Sequence, residues 1–146
     1  FCGGESIEDC RKTIQKLDHA HIGTILDYSV EGEVSEKSFD ATVNEILHTI
    51  EKASKTPAVP FAVFKVTGLA DTELLEKVQN NQPLDEAEQA AYERVRHRVN
   101  VLCQAAHDWH VKIFIDAEES WIQDTIDALA YEMMVRYNQK QAVVYN

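Results

Sequence analysis

Asp27, Lys65 and Asp116 each stand in or at the end of a strand-like apolar run, where a charge is costly unless the fold gives it a partner or a polar opening. Lys65 is the most telling of them. Its neighbours are Phe64 and Val66, so its ammonium is paired, faces a polar cavity, or snorkels to the surface at the strand end. Asp27 and Asp116 have a plainer alternative as turn or helix-cap carboxylates. If Lys65 and Asp116 share a site, each favours the other's charged form. Lys65 would then meet an anionic group such as a carboxylate. Asp116 would accept a hydrogen bond from substrate, cofactor or a basic residue. Schiff-base chemistry at Lys65, as in a lysine-dependent aldolase barrel, is the rival reading. A non-catalytic interaction module whose charges merely end strands is another.

The elements that must position these groups follow from periodicity. Residues 6–18 read as a short helix opened by a near capping box at Ser6-Ile7-Glu8-Asp9, with Ile7, Cys10, Ile14 and Leu17 on its apolar side. Residues 23–30 read as the first strand and 31–33 as loop. Ser35 is placed to cap a helix over 36–53, whose apolar stripe is Phe39, Val43, Ile46, Leu47 and Ile50. Residues 61–66 form a second strand, apolar on both faces, as in a sheet buried from both sides. Asp71 caps a short helix through Leu74, Leu75 and Val78, and Asn80-Asn81-Gln82-Pro83 ends it. A longer helix spans 85–108, with Ala91, Val95, Leu102 and Ala106 on one face. The third strand is 110–116. Ser120 is placed to cap a helix running to Tyr137 along Ile122, Ile126, Leu129, Ala130, Met133 and Met134, and a fourth strand covers 141–145.

Strands alternating with helices predict a parallel sheet in an α/β fold. A doubly wound sheet of the dinucleotide-binding type carries G-x-G-x-x-G after its first strand, and residues 28–33 contain no such cradle. The preferred architecture is a partial (β/α)8 TIM barrel of about four parallel strands with flanking helices. In that fold active sites gather at the C-terminal ends of the strands, where Asp27, Lys65 and Asp116 fall. Half a barrel has two open edges, so the chain reads as a segment completed by its missing strands or by another copy.

Composition narrows the partners. Acidic side chains outnumber basic ones 25 to 14, a formal net charge of -11, which disfavours non-specific binding to nucleic acid or anionic lipid. Cys2, Cys10 and Cys103 show no C-x-x-C spacing and no disulfide framework, consistent with a reducing compartment. The histidines have no metal-ligand spacing, and neither a phosphate-binding loop nor a G-x-S-x-G elbow is present. Arg94, Arg96 and Arg98 lie among acidic residues and read as a solvated face. Trp121, Met133 and Met134 read as core.

Four blocks of residues carry a family resemblance. They are Leu26-Asp27-Tyr28-Ser29-Val30-Glu31, Phe64-Lys65-Val66-Thr67, Ile115-Asp116-Ala117-Glu118-Glu119-Ser120-Trp121-Ile122-Gln123 and Val143-Val144-Tyr145-Asn146. In order and spacing they resemble proline dehydrogenase, over nearly the whole chain, and more closely the form of mitochondria and some bacteria than the bifunctional bacterial enzymes. The resemblance implies a distorted (β/α)8 barrel that binds FAD and oxidises L-proline to pyrroline-5-carboxylate, with electrons passing to membrane quinone. It implies that Lys65 contacts the substrate carboxylate and that Asp116 is an active-site residue needed for activity. Ala117 would touch the flavin, Glu31 would help gate the pocket, and Asp27 would support the site. It places residues 1–146 as the N-terminal portion of one barrel domain, preceded by the helix at 6–18. Later strands and a final helix would bring the family's substrate-binding arginines, its aromatic lid residue and most flavin contacts. On that expectation the segment alone is inactive and holds FAD poorly. The implied location is cytoplasmic or the mitochondrial matrix side, peripheral at the inner membrane.

Overall fold

The computed structural model describes residues 8–27 and 34–146. Their elements are helix α1 (Arg11–Asp18), strand β1 (Ile25–Leu26), α2 (Glu36–Ser54), β2 (Phe61–Phe64), a 3-10 turn (Val66–Gly68), α3 (Thr72–Gln79), α4 (Glu86–Asp108), β3 (Lys112–Ile115), α5 (Gln123–Tyr137) and β4 (Val144–Tyr145). All strand pairings are parallel, and the strands lie in the sheet in sequence order, β1-β2-β3-β4. Sequential order without a reversal is how a (β/α) barrel winds. A doubly wound sheet reverses at its switch point.

The two faces of the sheet differ. Ala62, Phe64, Ile113, Ile115 and Val144 are buried and face the helix layer, forming one core with Ile46, Ile50, Leu102, Ile126 and Met133. Burial of each large aliphatic side chain there contributes about 1.5–3 kcal/mol. Helices α2, α4 and α5 pack on β2, β3 and β4 respectively. The other face carries Ile25, Phe61, Lys112, Phe114 and Tyr145, all at least partly exposed. Phe61 stacks on Phe114 with ring centroids 4.6 Å apart, and Tyr145 meets both rings edgewise or tilted. This is the concave inner face of a barrel segment, lined by an aromatic patch with Lys112 Nζ 5.2 Å from the Phe61 ring centre.

Local capping explains most helix starts. Ser35 and Ser38 bond reciprocally at the start of α2, Asp85 and Glu88 do the same for α4, and the Asp71 carboxylate accepts from Glu73 N–H at α3. Helix α1 begins at Arg11 rather than at residue 6, and Cys10 at its N-cap makes no side-chain capping bond. The capping box expected from Ser6 lies partly outside the described residues. One expected cap is corrected: Ser120 does not cap α5. Gln79 of α3 does so from a distance, its Oε1 accepting from Asp124 N–H at 2.9 Å and its Nε2 donating to Ser120 O at 3.0 Å. The described strands are also shorter than the apolar runs. Lys65 stands just past β2 rather than within it, because the chain tightens into the 3-10 turn at Val66.

Candidate active site

Register builds the site. Phe64 of β2 pairs with Ile115 of β3, and Asp116 N–H donates to Phe64 O at 2.9 Å, which extends the ladder one step. Lys65 and Asp116 are therefore neighbours at the C-terminal rim. Side chains alternate along a strand, so both point to the inner face occupied by Phe61, Val63 and Phe114. Lys65 Nζ donates to Asp116 Oδ2 in an ion pair. The side chains are 37% and 43% exposed respectively, so water screens the pair and it adds little to stability.

The hydrogen bond from Lys65 to Asp116 is the main force raising the Lys65 pKa above its ordinary 10.5, against a smaller opposing effect of burial. The charges of Asp116, Asp27 and Glu118 add to the rise. Asp27, exposed one residue past β1, is thus within electrostatic range of the ammonium. Covalent chemistry at Lys65 needs the free amine, and surroundings that favour the ammonium work against the Schiff-base reading. They suit a fixed cation that holds an anion. Ala117 follows Asp116 and is exposed at the rim. Glu31, the expected gating acid, lies outside the described residues.

Sequence reasoning missed a group beside the pair. Glu118 Oε1 accepts from Thr67 N–H at 3.1 Å, and its Oε2 accepts from the Thr67 hydroxyl. The Glu118 N–H donates to Gln123 Oε1 at 2.8 Å, Gln123 Nε2 donates to Asp127 at 2.6 Å, and Asn146 Nδ2 reaches the same Asp127 oxygen at 2.8 Å. This chain of bonds joins the ends of β2, β3 and β4 to the first turns of α5. Its signal in the sequence was the polar content of the two strand-end blocks. Two other readings are corrected. Trp121 is 54% exposed rather than core, whereas Met133 is buried as expected. Arg98, read as part of a solvated face, is 5% exposed. Its Nε donates to Asp40 at 2.9 Å, its Nη1 to Leu69 O at 3.2 Å and its Nη2 to Glu36 at 2.5 Å.

Known proteins are similar to this chain in sequence and in fold. The family model described as proline dehydrogenase matches residues 10–146. The carbapenem antibiotics biosynthesis protein CarD of Pectobacterium carotovorum is 33% identical over 99% of this chain and 38% of its own length. Proline dehydrogenase 1, mitochondrial, of Dictyostelium discoideum is 28% identical over all of this chain and 32% of its own length. Among solved structures, proline utilization A from Bdellovibrio bacteriovorus superposes with a TM-score of 0.71 over 92% of this chain and 15% of that one, at 14% identity. That likeness shows a shared barrel fold. The chain spans well under half the length of both curated relatives. From its first helix to its last strand, the chain belongs to the proline dehydrogenase family.

Proposed function

We propose that the protein carrying this chain oxidises L-proline to pyrroline-5-carboxylate, and that residues 1–146 supply the first part of one barrel domain. The observation that carries this reading is the Lys65–Asp116 pair on the inner rim of the sheet in a member of this family. Proline offers a carboxylate and a ring nitrogen. A half-exposed ammonium kept in its charged form can take the carboxylate, and Asp116, released from Lys65, can accept from the nitrogen. Both groups orient the ring rather than react with it. The aromatic patch of Phe61, Phe114 and Tyr145 lies below them on the same face and limits water beneath the substrate.

The open edge at Ala117, with only a methyl side chain, fits a planar ring system laid against the rim. FAD, when bound, supplies the hydride acceptor. Among the described rim residues, Asp27, Asp116 and Glu118 outnumber Lys65, so this part of the rim has no spare cation for a diphosphate. We accordingly place the flavin ring near Ala117, its phosphates elsewhere, and the isolated segment as inactive. Asp27 supports the charge of Lys65, and Glu31 is the proposed gate. Quinone is the proposed final acceptor, with peripheral attachment on the matrix or cytoplasmic side of a membrane. No described helix is long and apolar enough to cross one.

The test is proline-dependent dye reduction by the intact protein. Turnover is expected, and Lys65→Met should lower kcat/KM by about a hundredfold, chiefly through KM, as one charge-assisted hydrogen bond is lost. An intact protein that retains flavin and reduces no dye with proline would end this reading.

A further inference from the structure

We propose that Glu118 is a positioning residue for Lys65, tying the turn that carries the ammonium to the start of α5. This rests on the reading of the rim as the substrate site. Residues of β2 and β3 pair at a constant offset of 51 positions, as Phe64 does with Ile115. The ion pair of Lys65 and Asp116 keeps that offset, and so do both bonds from Thr67 to Glu118. Past Asp116 the side chains take over the ladder. Glu118 accepts from the main chain and the hydroxyl of Thr67, two residues beyond Lys65. Its own N–H is anchored on Gln123 of α5 at 2.8 Å.

The Lys65 side of this tie is also seated. A Cβ at Gly68, the end of the 3-10 turn, would lie 3.3 Å from Thr42 Cγ2 of α2. The turn therefore has α2 on one side and Glu118 on the other. Without Glu118, Thr67 loses both acceptors, and the turn is free to rotate the Lys65 stem away from Asp116. The same substitution removes one of the negative charges that keep Lys65 protonated. A long, flexible side chain on a three-residue turn needs such support, because a small displacement of a binding group is felt strongly in catalysis.

The experiment compares Glu118→Ala and Thr67→Val with Glu119→Ala at its exposed neighbour, all in the intact protein. Two readouts are taken. Proline-dependent dye reduction should show KM raised about tenfold by Glu118→Ala and about fivefold by Thr67→Val, with kcat within about twofold. Thr67→Ser should restore the KM of the parent protein. Competitive acetylation, read by mass spectrometry, should label Lys65 faster relative to Lys112 in both variants and leave the ratio unchanged in Glu119→Ala. Thr67→Val is nearly isosteric and carries the test if Glu118→Ala does not fold. The labelling arm is independent of the substrate. Faster Lys65 labelling supports the tie even in a protein that oxidises no proline, an outcome that would remove only the substrate reading. Unchanged Lys65 labelling in Thr67→Val, with or without a change in KM, overturns the proposal.

Discussion

Two of the clusters of ionisable side chains among the described residues are built on opposite plans. Outside the sheet, Arg98 of α4 is buried, and each nitrogen of its guanidinium has an acceptor in Asp40, Leu69 O or Glu36. The Phe39 ring covers it at 5.4 Å, and Arg94 shares Glu36. On the inner rim, Lys65 and Asp116 are each more than a third exposed, and one ammonium faces the charges of three carboxylates. The outer cluster is saturated and locks α4 to α2. The inner one is left open and unbalanced, which is the condition for accepting a ligand. A buried charge must be satisfied by the fold itself, whereas a half-solvated one can wait for a partner.

Exchanges in each cluster sharpen that contrast. Arg98→Met leaves Glu36, Asp40 and Leu69 O without their donor. Because both carboxylates can rehydrate, the cost should fall at the low end for a broken buried pair, about 3 kcal/mol. Thermal unfolding should show a loss of about 6–12 °C. A variant that melts with the parent would mean the outer cluster does not hold the helices together. Lys65→Met, expected under the proposed function to weaken proline binding, should change stability by less than about 1 kcal/mol in the same assay, since the pair is screened. A large drop in Tm would make the rim pair structural and erase the distinction.

The pH dependences differ as well. Arg94, chiefly by its hydrogen bond, and then Arg98 hold the Glu36 carboxyl down at about 2, against an ordinary 4.5. Its contribution to stability is complete above about pH 4.5 and is lost as the pH falls toward 2. Glu36→Gln should therefore be less stable than the parent at pH 6 and converge with it near pH 2. A gap between them that stays constant through the acid range would count against the clamp. For Lys65 the sign is reversed. Its raised pKa means that the small contribution of the pair is complete below pH 10.5 and disappears only as the pH climbs through the higher value of the folded state. The stability difference between Lys65→Met and the parent should be flat from pH 6 to 10. A decline within that range would show that the ammonium is not held as described.

What could be read in advance was local. Ser35 and Asp71 cap their helices through residues three and two positions away. The buried stripe of α2 at Phe39, Val43, Ile46 and Ile50 follows helical periodicity within one element. The failures at α5, Arg98 and Glu118 are distant. Ser120 looks like a cap for α5, but Gln79 reaches it from 45 positions earlier. Arg98 looks solvated beside its acidic neighbours, yet its partners lie on α2, 58 and 62 positions away. Glu118 carried no recognisable spacing because its partner Thr67 belongs to another strand end.

The alternation of strand and helix, the caps, and a lysine and an aspartate at successive strand ends are determined by the sequence itself, because each depends on side chains within a few residues of one another. Whether those two charges meet was decided by tertiary structure. Register between β2 and β3 is set by burying Ala62, Phe64, Ile113 and Ile115 together against the helices. A slip of one residue would turn that apolar set toward the inner face and bury Lys65 among the helices, so the packing that excludes water from the core is also what brings Lys65 to Asp116.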